Sequence, residues 1–202
     1  MQITWLGHSC FSLESGGYKM VVDPYTDVPG CGPLQVEADA VFCSHDHFDH
    51  NYLPAVALRQ GGESPFSVHT LKTWHDDRQG ALRGENLVHV FRAEGLTVVH
   101  LGDLGEPLTD RQAEELAGCD ALLLPIGGTY TINAVQAKEV MEQVKPRVVI
   151  PMHYRGPGFG FDDIGRLEPF LAQFEPERIH RLAGASFSLD AQTPRQIAVP
   201  KR

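Results

Sequence analysis

Cysteine is scarce in this chain and never clustered. The four residues, Cys10, Cys31, Cys43 and Cys119, are widely spaced and form no Cys-x-x-Cys pair. That usage predicts reduced thiols and a cytoplasmic protein rather than a disulfide framework. Long apolar runs are also missing: no segment approaches the roughly 20 residues needed to span a bilayer, so no membrane partner is expected. The chain opens directly into a strand pattern, without the basic-then-apolar start of a signal peptide. Positive charge is in deficit, with 17 Lys and Arg against 26 Asp and Glu for a net charge of −9. This opposes nucleic acid as a partner, because phosphate backbones need clustered Lys and Arg. A small anionic substrate stays open, since bound divalent ions make a pocket locally positive whatever the global charge. There is no low-complexity linker, and 202 residues predict one compact domain spanning 1–202.

The richest stretch runs from Ser44 to Asn51 and reads Ser-His-Asp-His-Phe-Asp-His-Asn. His45, His47, Asp49 and His50 fall within six positions. Neutral imidazoles and a carboxylate are the ligands that zinc and similar divalent ions accept. His45, His47 and Asp49 alternate by two, and His50 breaks that register. Such a set fits neither one helix face nor one side of a strand. A loop can aim it at two adjacent points, so the stretch reads as a two-metal site; the bland alternative is a solvated polar turn. The apolar run Ala40-Val41-Phe42-Cys43 precedes it and reads as a buried strand. A ligand loop at the C-terminal end of a strand is a common place for chemistry in α/β proteins. Cys43 is itself open to two readings, a ligand or a small buried strand residue.

His-x-His-x-Asp-His after a buried strand resembles the second motif of the metallo-β-lactamase-fold hydrolases. Asp23, in Val21-Val22-Asp23-Pro24, resembles the first-motif aspartate, which supports the ligand loop and is not a ligand. His75, in Thr73-Trp74-His75-Asp76, resembles the third-motif histidine. Asp103, in His100-Leu101-Gly102-Asp103, resembles the bridging aspartate, and His153, in Ile150-Pro151-Met152-His153, the final ligand. Trp5-Leu6-Gly7-His8-Ser9 and Pro125-Ile126-Gly127-Gly128 are similar to the small bacterial branch that includes ascorbate-phosphate lactonase-like hydrolases. The resemblance implies an α/β fold of four layers, an αββα sandwich of two mixed sheets with helices outside. It implies two metal ions: His45, His47 and His75 at the first, Asp49, His50 and His153 at the second, Asp103 bridging. Zinc is the default, and imidazole plus carboxylate also suits manganese or iron. The implied chemistry is hydrolysis of a small ester, lactone or phosphodiester, by a water that two cations make acidic enough to ionise at neutral pH. Asp49 would orient that water and Asp103 hold the pair of charges together. Relatives with iron centres make an oxidoreductase the alternative enzyme, and a non-catalytic metal-binding module the alternative to catalysis.

Strand patterns cover Met1–Trp5, Cys10–Glu14, Lys19–Asp23, Ala40–Ser44, Ser67–Thr70, Leu87–Phe91, Thr97–Leu101, Ala121–Pro125, Val148–Pro151, Arg178–Leu182 and Ser186–Leu189. Helical patterns cover Tyr52–Leu58, a segment from the capping box Thr109-x-x-Gln112 to Leu116, Asn133–Val144, and Asp163–Phe174 with Pro169 inside it. The segment from Gly17 to Asp23 is echoed by Gly95 to Asp103. Asp39-Ala-Val-Phe-Cys then follows Asp23 much as Asp120-Ala-Leu-Leu-Leu follows Asp103. This suggests two similar half-sheets, with chance similarity of strand edges as the alternative.

Some residues near the ligands are not ligands. His8 is either a turn histidine or a donor to a ligand carboxylate or to Asp23. Thr129 and Tyr130 follow Gly127-Gly128, Tyr154 and Arg155 follow His153, and Arg83 lies in Leu82-Arg83-Gly84. Each is a candidate substrate contact, with an ordinary surface loop as the alternative. His69, His89, His100 and His180 read as core or surface histidines.

Overall fold

The computed structural model describes residues 1–60 and 62–202. The chain begins with three antiparallel strands, β1 (Gln2–Gly7), β2 (Cys10–Ser15) and β3 (Tyr18–Val22). Gly16 and Gly17 link the last two, at φ 57° and 81°. Two consecutive positive φ values are what a two-residue hairpin turn of matching twist requires, and glycine adopts them without strain. Next come β4 (Val36–Ala38), β5 (Ala40–Phe42) and β6 (Val56–Leu58). Strands β7 (Ser67–Trp74), β8 (Glu85–Ala93) and β9 (Leu96–His100) form an antiparallel meander. Helix α1 (Asp110–Leu116), strand β10 (Ala121–Pro125), helix α2 (Ala134–Val144) and strand β11 (Val148–Met152) alternate. A single turn of helix, α3 (Glu168–Leu171), precedes β12 (Ile179–Arg181), β13 (Ser186–Ser188) and β14 (Gln196–Val199).

Two sheets result, one of five strands in the order β13-β1-β2-β3-β5 and one of seven in the order β12-β14-β11-β10-β9-β8-β7. They face each other across one apolar core. Period-two alternation turns Ile3, Trp5, Phe11, Leu13, Met20 and Val22 inward, on the face that meets Phe91, Val98, His100 and Leu123 of the seven-stranded sheet, while Val88, Val90 and Leu122 lie on that sheet's other face. Strands β10 and β11 are parallel and buried at every position, as apolar runs covered on both faces must be. Helices α1, α2 and α3 pack in a row. The outer face of the five-stranded sheet carries Cys10 and Val21 and is covered by Tyr25, Val28 and the β4–β6 ribbon. The layered α/β sandwich is thus present, with loop and ribbon on that side in place of helix. No helix among the described residues is long and apolar enough to cross a membrane.

The internal echo has a structural counterpart. In the first half Asp39 Oδ2 accepts from the Lys19 N–H at 2.7 Å, and the Asp39 N–H returns to Lys19 O at 2.7 Å. In the second half Asp120 Oδ2 accepts from the Thr97 N–H at 2.7 Å, and the Asp120 N–H returns to Thr97 O at 2.9 Å. An arginine pairs with each aspartate, Arg59 with Asp39 and Arg147 with Asp120. Each half therefore runs antiparallel pair, aspartate clamp, parallel strand: β2-β3-β5 and β8-β9-β10.

Local expectations fail in three places. Tyr52–Leu58 is a 3-10 turn over Leu53–Ala55 followed by β6, because Val56–Leu58 finds a parallel partner in Val36–Ala38. The helix expected over Asp163–Phe174 shrinks to one turn. Backbone groups upstream of it are engaged elsewhere: Gly165 N donates to Gly127 O at 2.6 Å, and Asp163 O accepts the Thr129 hydroxyl, also at 2.6 Å. The last strand, β14, lies beyond the final patterned segment of the sequence, yet it inserts between β11 and β12.

Candidate metal centre

Strand β5 runs parallel to β3, so both deliver their C-terminal ends to the same edge. Asp23 leaves β3 at φ 53°, a left-handed backbone uncommon for a non-glycine residue. Its carboxylate reaches under the ligand loop. Oδ1 accepts from Ser44 N at 2.6 Å, and Oδ2 accepts from Ser44 Oγ at 2.6 Å and from His50 Nδ1 at 2.8 Å. Burial pushes the Asp23 pKa up, but His50 and His100 outweigh it and bring the value to about 2. The loop closes on itself as the N–H groups of His50 and Asn51 both bond His47 O, at 2.9 and 2.8 Å.

Three histidines have the outer ring nitrogen tied down. The Ser44 hydroxyl gives its proton to Asp23, so His45 Nδ1 donates to Ser44 Oγ at 2.9 Å. His50 Nδ1 donates to Asp23, and His75 Nδ1 donates to Tyr130 O at 3.1 Å. Such outer contacts fix the tautomer and leave Nε2 as the free lone pair, the usual arrangement behind metal-ligating imidazoles. The Nε2 atoms of His153, His50 and His75 stand 3.1, 3.3 and 3.5 Å from Asp103 Oδ2. Asp103 is held by its N–H, which donates to Asn86 Oδ1 at 2.8 Å. The preceding residue must be glycine: at φ 56°, a Cβ on Gly102 would lie 2.3 Å from Asn86 Oδ1 and 2.5 Å from Ser44 Cβ.

The donor atoms gather as His45, His47 and His75, as His45, His50 and Asp103, and as His8, Asp49, His50 and His153, each group within 4.8 Å of itself. All seven residues read from the sequence as ligands are thus brought together, and His8 joins them. No cysteine does so among the described residues; Cys43 Sγ contacts Asn51 Oδ1 at 3.2 Å, and burial pushes its thiol up to about 12. Buried His45 Nε2, His50 Nε2, His153 Nδ1, Asp103 Oδ1 and both ring nitrogens of His8 have no hydrogen-bond partner among the described residues. Buried polar atoms are nearly always paired, so this concentration of unpaired acceptors and imidazole nitrogens fits cations bound between them. The electrostatics point the same way: against burial, Asp103 and Asp23 push His50 up, a pull on positive charge that a bound cation would satisfy in place of a proton. Burial, then His50, lowers His45 to about 3, leaving a neutral ligand. Against burial, His153 and His50 hold Asp103 ionised, well below the usual carboxylate range.

A cavity of about 530 Å³ opens over the cluster. It includes His47, Asp49, Asp103 and His153, and its walls are Phe48, Phe161, Arg83 and Tyr130. Arg83 lies 5.3 Å over the Tyr130 ring, and the Tyr130 hydroxyl donates to Asp163. Asp76, next to His75, shapes the loop that presents Arg83. It accepts from the N–H groups of Arg78, Gly80, Leu82 and Arg83 at 2.8–3.0 Å. Burial raises its pKa, but those bonds prevail and lower it. Thr129 donates its hydroxyl to Asp163 O and braces the loop outside the cavity. Tyr154 and Arg155 point elsewhere. They line a separate cavity of about 720 Å³ with Trp5 and Phe159, because residues that follow His153 along the chain turn away from the metal edge.

The remaining histidines are structural. His100 Nε2 donates to Ser9 O at 2.8 Å, His89 Nε2 donates to Cys43 O at 3.0 Å, and His69 pairs with Glu115 at the surface. Phe48, Phe161, Ser44 and Asn86 were not singled out from the sequence. Ser44 lay inside the motif. Phe161 carries no pattern that marks it, since it reaches the site from a loop far along the chain.

Comparison with known proteins bears on this geometry. The Beta-lactamase superfamily domain matches residues 2–153, from β1 to the last histidine of the cluster. A UPF0173 metal-dependent hydrolase of Archaeoglobus fulgidus is 33% identical over 193 residues, covering 76% of this chain and 83% of its own. A Thermotoga maritima structure, described as a candidate Zn-dependent hydrolase of the metallo-β-lactamase superfamily, superposes with a TM-score of 0.77 at 36% identity over 98% of this chain and 97% of that one. An isothiocyanate hydrolase from Delia radicum gut bacteria shares the fold at a TM-score of 0.70 and 14% identity, over 95% of this chain and 100% of that one. With the motif order, the sandwich and the buried histidine cluster in agreement, the chain belongs to the metallo-β-lactamase superfamily as a metal-dependent hydrolase related to the UPF0173 proteins.

Proposed function

We propose that the centre holds two divalent cations, zinc by default, and hydrolyses a small anionic ester, lactone or phosphodiester. The observation that carries this reading is Asp103, whose Oδ2 faces histidines of both ligand groups while its Oδ1 has no partner among the described residues. His45, His47 and His75 would hold one cation, Asp49, His50 and His153 the other, with Asp103 shared. When bound, such a pair acidifies water and polarises a carbonyl or phosphoryl oxygen.

The chain's own residues do the rest. Asp49 is kept ionised: burial opposes this, but the contact with His8 and the nearby His50 hold its carboxyl low. It would accept a hydrogen bond from the attacking water and orient it. Arg83 is the cation in the cavity wall and would take the anionic group of the substrate. Phe48 and Phe161, with ring centroids 6.2 Å apart, would grip an apolar portion and exclude water. Tyr130 is set beside the reacting centre but is committed to Asp163, which supports a role in positioning Arg83 rather than in proton delivery. A volume of about 530 Å³ suits a small molecule.

We take residues 1–202 as one catalytic domain, since the C-terminal strands β13 and β14 complete the two sheets. Four free cysteines support a cytoplasmic setting. The test is metal analysis beside assays of generic lactone, ester and phosphodiester substrates. Two ions per chain and chelator-sensitive hydrolysis are expected; one ion per chain, or oxygen consumption in place of hydrolysis, would overturn the reading.

A further inference from the structure

We propose that His8 is itself a ligand of the second cation, so that this subsite has four protein side chains of its own, His8, Asp49, His50 and His153, before Asp103 is counted. The inference rests on the two-cation reading above.

His8 lies immediately after β1, more than thirty residues from the ligand loop, and outside the metal motifs the sequence displays. Its side chain is fully buried, 0% exposed. Neither ring nitrogen has a hydrogen-bond partner among the described residues. A buried imidazole left in that condition is costly unless something else takes its lone pair. Its Nε2 stands 3.3 Å from Asp49 Oδ2. That is long for a charge-assisted hydrogen bond, which runs to about 2.7–2.9 Å. It falls within the spacing between neighbouring donors on one cation, roughly 2.9–3.6 Å for ligands at about 2.0–2.1 Å in a five-coordinate arrangement. His50 Nε2 lies 3.8 Å from the same oxygen. The four donor atoms fall within 4.8 Å of one another.

The backbone is arranged to keep the ring there. His8 and His153 both adopt φ 52°, and His153 N donates to His8 O at 3.3 Å. Trp5 Nε1 donates to the same carbonyl at 2.9 Å. The two imidazole rings end 4.2 Å apart, with Phe161 closing the other side of His8. Two strained residues locked to each other, both aimed at one point, are what a pre-formed binding site needs.

The consequence is an asymmetric centre. The second subsite has one more side-chain ligand than the first, so it fills first and holds its ion more tightly, while the first subsite keeps more open positions for substrate. The competing role for His8 is simple support of Asp49 through an N–H···O bond. The two differ in rescue: a glutamine amide can donate to Asp49 but is a poor replacement for an imidazole on zinc.

The experiment is calorimetric titration of the metal-depleted full-length protein with zinc alone, for wild type, His8→Ala, His8→Gln and the surface control His69→Ala, with circular dichroism to check folding. Wild type and His69→Ala should show one tight and one weaker site. Both His8 variants should lose more than ~100-fold affinity at the tight site, beyond the 10–100-fold typical of losing an outer contact. Wild-type affinity in His8→Gln would overturn the ligand role and leave the two-cation reading intact. A wild type with a single site would overturn both. If the variants misfold, a zinc-loaded crystal structure of the wild type decides: a His8 ring nitrogen at about 2.0–2.1 Å from the second ion supports the inference, and a ring too far from that ion to coordinate it overturns it.

Discussion

His50 Nδ1 donates to Asp23 Oδ2 at 2.8 Å, and the opposite ring nitrogen of His50 faces Asp103 Oδ2 at 3.3 Å. One imidazole thus joins the aspartate that ends β3 to the one that follows β9. The two acids have the same charge and different surroundings: Asp23 holds the ligand loop, and Asp103 faces the imidazoles of His50, His75 and His153.

Asp23→Asn should weaken metal at the second subsite by about 10–100-fold, the usual effect of removing an outer partner of a ligating histidine. The amide can still accept from Ser44 N but no longer charges the His50 contact. Competition with a chromophoric chelator measures this.

Asp103→Asn should do more. On the proposed two-cation centre it would remove the negative charge shared between ions held roughly 3.5–4 Å apart. One ion should be lost and hydrolysis should fall below that of Asp23→Asn. Metal content and rates on the two variants side by side check the order, and an Asp103→Asn protein with two tight ions and a normal rate would contradict it.

Arg83→Ala should raise KM for an anionic substrate about tenfold or more while metal content stays at the wild-type level. A neutral analogue should feel the change little. Arg155→Ala, at the separate cavity beside Trp5, should leave KM and kcat unchanged. A steady-state comparison of both variants on charged and neutral substrates separates the two cavities.

Asn133→Ala should cost about 1 kcal/mol of stability, because the Asn133 side chain accepts the N–H groups of Val135 and Gln136 at the start of α2. Gln136 returns the contact to the Asn133 N–H, so Asn133→Asp should be milder. Denaturant melts give the values.

Asp39→Asn should lower thermal stability at neutral pH, with the deficit narrowing in acid. The Lys19 N–H lowers the Asp39 pKa most, burial opposes it, and Arg59 lowers it further. A depressed folded-state pKa means the stabilisation is fully present above the unfolded value near 3.9 and is lost as pH falls through the folded one. Melting temperatures of wild type and variant should therefore differ at pH 7 and converge only in stronger acid, below the depressed folded-state pKa of Asp39; a deficit independent of pH would show that charge is not the source.

Much of this protein is written locally. The residues from His45 to His50 are legible as a metal motif because so many imidazoles in so short a span have no packing purpose. The apolar runs of β10 and β11 and the capping box at Thr109 are equally plain, because each is set by neighbours a few residues away. The order of Asp23, the His45–His50 loop, His75, Asp103 and His153 resembles that of the metallo-β-lactamase-fold hydrolases, and that resemblance implied the sandwich.

Other features were settled only by contacts between distant segments. Val56–Leu58 became strand through its pairing with Val36–Ala38, and the backbone of 163–165 was taken up by the 127–129 loop instead of a helix. Phe161 and Arg83 share one cavity although 78 positions separate them, while Arg155, two residues from His153, faces another. His8 read in sequence as either a turn histidine or a donor to a ligand carboxylate or to Asp23. Its place beside Asp49 and His153 comes from the edge of β1 meeting the end of β11, a neighbourhood that sequence periodicity does not encode because it depends on how two sheets are stacked.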